Sequence, residues 1–354
     1  MTTIFDKGRD LEATRSALAA WLSDKIRTPV DVIGLDYPVG AGTSNETILF
    51  TARLANGTAH DLVLRVEPRP EFQLFLDPGL RTQFDLLDAL SRHTAVRVPA
   101  VHWFEEDPAV LGQPFFIMEQ LHGRVPVSHP GYNVTGWLFD ALPAQRRRAW
   151  ESGVRQLAAI HSVPRDAVGV LDRPALGPTG LEQDLAYWDR MLSWAIAGHT
   201  PDHLHAVRDW LFATVPDRRH EGLAWGDARI GNMMFGDDFE VVGVMDWEQA
   251  SLAGAMTDVG WWLFFDVFHS DALGVARLDG LGTRQETIDL WQDQTGLEVH
   301  DLHWYEVLAG FKLSILAIRA TEVLSNGRKA DPRQKYAMLA LTCRLLDMDP
   351  SGLS

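Results

Sequence analysis

A change of pattern near residue 121 constrains the fold of this chain more than any other feature. Before it, short runs rich in apolar and β-branched residues are bounded by turn residues, as in strands. Beyond it, apolar residues recur every three or four positions over long stretches, which is typical of amphipathic helices. Asn56-Gly57 separates two strand runs and favours a tight hairpin turn. We predict strands over residues 32–39, 47–54, 60–66, 98–104 and 115–119, with a helix over residues 80–90 between the third and the fourth.

The helical part of the chain follows His122-Gly123. The spacing of apolar residues predicts helices over residues 144–161, 181–197, 203–214, 256–268 and 301–323, and one over residues 11–26 ahead of the first strand. The 13 tryptophans stand mostly at helical positions, where we expect them in the core. We therefore expect two lobes: residues 1–121, small and sheet-rich, and residues 122–354, larger and mostly helical.

Composition argues against several functional classes. The net charge of −16 argues against nucleic acid as a partner, because binding to phosphate backbones depends on lysine and arginine. Cys343 is the only cysteine, which excludes an internal disulfide and fits a reducing compartment. The first residues lack the apolar run of a secretory signal, and no apolar stretch reaches membrane-spanning length. We expect a cytoplasmic protein without a membrane partner, either a monomer or a homodimer.

The stretch most suggestive of chemistry is LAWGDARIGNMMFGDDFEVVGVMDWE. It contains Asp227, then Asn232 five positions later, and Asp246 at the end of an apolar run. Two short strands, residues 233–235 and 241–245, would form a hairpin that brings Asn232 close to Asp246. Each of the three residues alone could be a turn former or a helix cap. Together they suit phosphoryl transfer, which needs a carboxylate to orient the attacking hydroxyl and oxygen ligands for magnesium.

The combination of GDARIGN, a strand and DWE resembles the phosphotransferase signature of the aminoglycoside phosphotransferase and choline kinase group, within the protein-kinase-like superfamily. The resemblance implies an α+β, protein-kinase-like fold: a small N-lobe with a five-stranded antiparallel sheet and a helix, and a larger, mostly helical C-lobe. It implies transfer of the γ-phosphate of ATP to a hydroxyl of a small molecule. Asp227 would be the catalytic base, and Asn232 and Asp246 would bind Mg²⁺. Arg229 would stabilise charge on the transferring phosphate or pair with Asp227.

The glycine-rich segment between the first two predicted strands occupies the place of the family's phosphate-covering loop. Glycines let backbone amides approach phosphate oxygens closely, and polar side chains add further donors. A short glycine loop by itself is more often a plain hairpin turn. In this position the resemblance implies phosphate contacts from four residues: Gly40, Gly42, Ser44 and Asn45.

Other positions of the N-lobe correspond to nucleotide-binding residues of the family. Arg65 stands where kinases carry a lysine that binds the α- and β-phosphates. Gln83 stands where the wider pattern has that lysine's glutamate partner, so Arg65 would be held by a hydrogen bond or by another carboxylate such as Asp85. Arg65 could also be a plain strand-face residue. The adenine edge would be bound near the end of the fifth strand, by backbone groups of Met118, Glu119 and Leu121.

Two departures from the family pattern keep a second interpretation open. Gln83 cannot form an ion pair, and Trp225 replaces a histidine that supports the catalytic loop. A nucleotide-binding pseudokinase, acting as a regulatory or binding module, is therefore the alternative. We expect Trp225 to keep the support by packing and hydrogen bonding, and Asp258 to tie its helix back to the catalytic loop. Glu248 would contact the metal or cap the following helix.

The acceptor of the phosphate remains open at this level. The HRD, DFG and APE segments of protein kinases are absent, which leaves small molecules. Aminoglycosides are the eponymous acceptors of the group, but the acceptor is chosen by variable helices of the large lobe. The segments LVLR, DPAVLGQPFFIME and GDARIGN look nearer to the kinase domains fused to some acyl-CoA dehydrogenases. A hydroxylated acyl compound or another metabolite is therefore a second candidate.

Overall fold

The computed structural model describes residues 9–38, 44–128, 130–196, 201–324 and 335–353. Its first part is a five-stranded antiparallel sheet in the order β1-β2-β3-β5-β4. A helix, α1, precedes the sheet, and a second helix, α2, lies between β3 and β4 in the chain. The bounds are α1 Leu11–Ile26, β1 Val30–Asp36, β2 Glu46–Leu54, β3 Ala59–Val66, α2 Leu80–His93, β4 Val101–Glu105 and β5 Phe115–Glu119.

The sheet is covered by helices on both faces. On one face α1 packs through Leu18 and Trp21 against strand residues such as Phe50 and Phe115. On the other face Phe84 of α2 makes edge contacts with rings of β4 and β5. Burial alternates along β2, because successive side chains point to opposite faces and only the face toward α1 is buried there.

The second part of the chain is helical and contains one small hairpin of two strands. The helices are α3 Trp137–Asp140, α4 Pro143–His161, α5 Gly180–Ala195, α6 Asp202–Ala213, α7 Ala255–His269, α8 Arg284–Thr295, α9 Leu302–Leu324 and α10 Ala337–Leu345, and the hairpin strands are β6 Met233–Phe235 and β7 Val241–Val244. Helix α7 lies at the centre, since every residue from its start to Phe265 is buried. Within the described parts of the chain, no helix combines the length and apolar character needed to cross a lipid bilayer.

The predicted α+β class is confirmed, while some element bounds differ. The strand predicted over residues 98–104 begins at Val101, and helix α2 extends to His93. Helix α8 was not predicted, although Thr283 and Glu286 form a capping box at its start and Gly296, in the left-handed region, ends it. That box was the sequence signal that could have found it. The boundary at residue 121 falls two positions after β5 and stays a prediction.

Candidate active site

The hairpin β6–β7 brings two of the predicted site residues together. Met233 pairs with Val244, and the amide of Met245 donates to the carbonyl of Asn232 at 2.9 Å. Asn232 ends a short 3-10 turn directly before β6, and Asp246 follows β7. The predicted proximity of Asn232 and Asp246 is therefore confirmed, and it results from a local hairpin.

Asp227 is held by three side-chain donors. Its Oδ2 accepts from Asn232 Nδ2 at 2.6 Å, and its Oδ1 accepts from Trp261 Nε1 at 2.9 Å and from Arg229 Nε at 3.2 Å. Two donors therefore occupy Oδ1, whereas Oδ2 has one and keeps a lone pair for a further donor. Because its nitrogen faces Asp227, the amide of Asn232 directs its carbonyl oxygen elsewhere. The carboxylate is fixed in orientation yet able to accept a hydroxyl proton.

Arg229 pairs with Asp227, which is one of its two predicted roles, and the role toward the transferring phosphate stays a prediction. Besides pairing with Asp227, it donates to Ser128 Oγ at 3.1 Å, and its guanidinium lies 5.3 Å from the centre of the Phe265 ring. These contacts tie the loop of Asp227 to the segment that follows β5 and to helix α7.

A cluster of carboxylates surrounds the end of β7. Burial, together with the nearby charge of Asp227, raises the pKa of Asp246, and Arg65 opposes that rise. Burial and the charge of Asp246 raise the pKa of Glu248 to about 8. Asp246 also has a φ of +58°, in the left-handed region that non-glycine residues rarely adopt. A bound cation would relieve this repulsion.

The cluster fits magnesium better than a metal that needs an all-protein cage. Among the described residues, no group of three or more His, Cys, Asp and Glu side chains has the geometry to hold a metal ion. Mg²⁺ is usually bound through one or two carboxylates, with water and substrate phosphates completing the shell. Asn232 and Asp246, with Glu248 beside them, match that requirement.

The glycine-rich segment is only partly visible. Gly40 and Gly42 lie outside the described residues. Ser44 Oγ donates to Glu248 Oε2, and Asn45 Nδ2 lies 3.4 Å from the same oxygen. The end of this segment therefore reaches the carboxylate cluster of the other lobe, and Glu248 contacts it rather than capping a helix.

The predicted pairing of Arg65 with Gln83 or Asp85 is wrong. Arg65 donates to Thr47 Oγ1 at 3.0 Å, its direct cross-strand neighbour on β2. Gln83 is 4% exposed and donates to the carbonyl of Pro78 at 3.1 Å, while Asp85 pairs with an arginine one turn earlier on α2. The reason is local: Gln83 bonds to the carbonyl of Pro78 in the turn before α2, and Arg65 has a partner in its own sheet.

The end of β5 leaves few backbone donors for an adenine. The amide of Glu119 donates to Ala100 at 2.8 Å, and that of Gln120 donates to Asp61 at 3.1 Å. Met118 pairs within the sheet, and Leu121 packs over Gly243 of β7, where any Cβ would meet it. Adenine recognition at Met118, Glu119 and Leu121 stays a prediction.

A buried network that the sequence revealed only in part fixes the catalytic loop. Asp258 of α7 accepts the amides of Trp225 at 2.6 Å and Gly226 at 2.8 Å, as predicted for it. It also contacts His161 Nε2 at 3.0 Å, and Trp291 Nε1 donates to His161 Nδ1 at 2.8 Å. Because Nδ1 accepts, the imidazole is the neutral tautomer that donates from Nε2.

Two tryptophans support the same loop directly. Trp225 is fully buried, and its Nε1 donates to the carbonyl of Met245 at 2.8 Å, which confirms the support expected of it. Trp261 was expected only in the core, yet it donates to Asp227. No sequence signal separates it from the other tryptophans, since its role depends on how α7 packs.

A five-stranded antiparallel sheet beside a helical lobe, with this Asp–Asn–Asp arrangement between loop and hairpin, defines a phosphotransferase of the kinase-like class. The chain belongs to the phosphotransferase enzyme family designated APH, whose sequence model matches residues 37–292. Its structural neighbours include aminoglycoside and macrolide phosphotransferases.

Curated relatives are much longer than this chain. It is 30% identical over 230 residues to IBR3 of Arabidopsis thaliana, named as a candidate acyl-CoA dehydrogenase, and the match covers 63% of this chain and 27% of that protein. It is 27% identical over 256 residues to acyl-CoA dehydrogenase family member 10 of Mus musculus, covering 71% of this chain and 22% of that protein. The match thus spans about a quarter of these relatives.

Solved structures share the fold across nearly the whole chain. A candidate aminoglycoside phosphotransferase from Ralstonia eutropha is 22% identical with a TM-score of 0.69, covering 94% of this chain and 98% of that one. A thermostable mutant of the aminoglycoside phosphotransferase APH(4)-Ia, in a ternary complex with ADP and hygromycin B, is 12% identical with a TM-score of 0.55, covering 94% and 98%.

Proposed function

We propose that this protein transfers the γ-phosphate of ATP to a hydroxyl of a small molecule, with Asp227 as the catalytic base. The observation that carries the proposal is the hydrogen bonding of Asp227, whose Oδ2 keeps a lone pair while three donors fix the carboxylate. A positioned carboxylate of this kind orients the acceptor hydroxyl and takes its proton during transfer.

Asn232 and Asp246 would hold Mg²⁺ beside the base. The ion supplies charge neutralisation for the phosphates when it is bound. Asn232 keeps its carbonyl oxygen available, because its nitrogen is committed to Asp227. The raised pKa values of Asp246 and Glu248 support a cation there, since both carboxyls are held near each other in buried surroundings.

Nucleotide binding would involve residues of the sheet and of the glycine-rich segment. A structural neighbour contains ADP, which supports an adenine nucleotide as the donor. Arg65 lies close enough to Asp246 and Glu248 to oppose the rise in their pKa values. Its charge therefore also reaches the place where phosphates would lie. Phosphate contacts from Gly40, Gly42, Ser44 and Asn45, and adenine contacts from Met118, Glu119 and Leu121, are part of the proposal. Gln83 would contribute only by holding the start of α2.

The acceptor would be an aminoglycoside-like compound or a hydroxylated acyl compound or metabolite. The neighbour that holds hygromycin B favours the first, and the relatives named as acyl-CoA dehydrogenases favour the second. A thermal-shift titration with ATP and magnesium, followed by a hydroxyl-compound library assayed for ADP release, decides between them.

The same assay tests the base. Asp227→Asn should lower kcat by about 100-fold or more while nucleotide binding is kept, because general base catalysis contributes that much. Asp237→Asn is the matched control, an exposed aspartate in the turn of the same hairpin. Equal losses of rate and of nucleotide affinity in Asp227→Asn would contradict the assignment.

A nucleotide-binding pseudokinase is the second candidate. It is favoured by the absence of a carboxylate partner for Arg65 on α2, since Gln83 bonds to Pro78 instead. A thermal shift with ATP and magnesium but no ADP release with any compound of the library would support it.

A further inference from the structure

A cavity that is open to solvent lies beside the carboxylate cluster. Its walls come from α2 and the turn before it, from α5, and from the segment that follows Asp246. Glu248 lines it, so the cavity opens next to the proposed phosphoryl-transfer site. Gln249 also lines it, and the backbone of Gln249 packs against Gly226, the residue before Asp227. A molecule in this cavity would therefore lie beside Glu248 and beside the segment that packs against the loop of Asp227.

Gln249 lines this cavity and has a buried acceptor that no described protein donor uses. The residue is 8% exposed, and its buried Oε1 has no hydrogen-bond partner among the described residues. A buried carbonyl oxygen without a donor is costly, and the cost is removed when a ligand hydroxyl or N–H donates to it.

Arg173 presents a cation that no protein carboxylate neutralises. Its guanidinium lies 5.1 Å from the centre of the Tyr187 ring, and it forms no ion pair within the described chain. Hydrogen bonds fix the backbone of Arg173. Its amide donates to Gln183 Oε1 at 2.9 Å, and Gln183 Nε2 in turn donates to Asp172 at 2.7 Å and to Gly177 at 3.1 Å. Burial raises the pKa of Tyr187, which keeps the ring neutral beneath the cation.

The acidic side chains that line the cavity are already engaged. Asp184 pairs with the buried Lys312 at 3.1 Å. Asp77 is exposed and accepts the amide of Gly79 at 3.0 Å. Glu248 accepts from Ser44. Asp77 keeps its charge at the exposed rim, and Arg173 is the lining cation that has no ion pair among the described residues.

We infer that this cavity binds the phosphate acceptor, and that Arg173 and Gln249 select a hydroxylated compound carrying a carboxylate or similar anionic oxygen group. This inference rests on the proposed function. The planar guanidinium would pair with the anionic group, and Gln249 would accept a hydrogen bond from a hydroxyl. A polycationic acceptor would meet Arg173 as a like charge.

Calorimetric titration of the full-length protein tests this ligand selectivity with three eight-carbon probes. They are 3-hydroxyoctanoate, 1,3-octanediol and octanoate. Wild-type protein should bind 3-hydroxyoctanoate about 10-fold more tightly than 1,3-octanediol, since charge-assisted hydrogen bonds to a guanidinium are worth at least that factor. Arg173→Gln should lose this preference. Arg190→Gln, an exposed arginine on the same helix as Tyr187, changes net charge equally and should keep it.

Gln249→Met gives an independent measurement. Wild-type protein should prefer 3-hydroxyoctanoate over octanoate, and the variant should bind both alike while still preferring the acid to the diol. Thermal melting of each variant checks that it is folded. If Arg173→Gln is unfolded, the binding measurements on Gln249→Met still test the inference.

Three outcomes overturn the inference: no saturable binding of 3-hydroxyoctanoate, equal binding of acid and diol, or kanamycin displacing the acid and still binding Arg173→Gln. A titration with AMP-PNP and magnesium tests the proposed function separately. Intact binding of the acid without nucleotide binding would refute the proposed function and, with it, the role of the ligand as phosphate acceptor, while the selection of a hydroxylated acid by Arg173 and Gln249 would stand.

Discussion

Replacing Asp258 by Asn probes the buried network that holds the catalytic loop. The carboxylate accepts from three donors, the amides of Trp225 and Gly226 and His161 Nε2. An Asn has one oxygen, so at least one of these donors loses its acceptor. Trp291 donates to His161 Nδ1, so His161 must donate from Nε2. The oxygen of the new amide must therefore face His161 and Trp225, and the Gly226 amide loses its acceptor.

The expected cost follows from this geometry. The new NH₂ group faces the Gly226 amide, and both are buried donors without acceptors. Hydrogen bonds to charged groups contribute about 1.5–3 kcal/mol, and leaving a buried donor unsatisfied costs a similar amount. We expect Asp258→Asn to lower the free energy of unfolding by about 2–4 kcal/mol. Because Gly226 precedes Asp227, kcat should fall as well.

Urea unfolding followed by fluorescence measures the stability change, and hydrogen exchange by mass spectrometry locates it. Faster exchange is expected in peptides that span Trp225 and Gly226. Asp189→Asn is the control: Asp189 is 38% exposed in a surface pair with Arg208, so a loss of at most about 1 kcal/mol is expected. A change in Asp258→Asn no larger than in this control would refute the reasoning.

Three further substitutions test the site itself. Asp246→Ala should weaken magnesium-dependent nucleotide binding as well as rate, and an unchanged magnesium titration would remove it from the metal site. Arg65→Ala should raise KM for ATP by about 10-fold or more, as expected for a charge-assisted phosphate contact, whereas wild-type affinity would make it a plain strand residue. Trp261→Phe should lower kcat by about 10-fold without raising KM for ATP, because it loosens only Asp227. An equal rise in KM would indicate a general structural defect instead.

The sequence by itself determined the order of the strands and of most long helices, and the core of the site motif. The backbone geometry of a strand or a helix sets the spacing of the residues on its buried face. The spacing of apolar residues can therefore be recognised in the sequence. The proximity of Asn232 and Asp246 could also be predicted, since a tight hairpin joins them and few conformations are compatible with it. The role of Asp258 followed from the family resemblance, and its two backbone amide partners confirm it.

Tertiary structure alone decided the contacts between distant parts of the chain. Ser44 and Glu248 meet across 204 residues, and Trp291 reaches His161 across 130. The partner of Arg65 was mispredicted for the same reason: Gln83 bonds to the carbonyl of Pro78, and Thr47 is in register with Arg65 across the sheet. A buried polar group bonds to whichever partner the packing places within reach, and that choice depends on the positions of whole elements, which local periodicity does not encode.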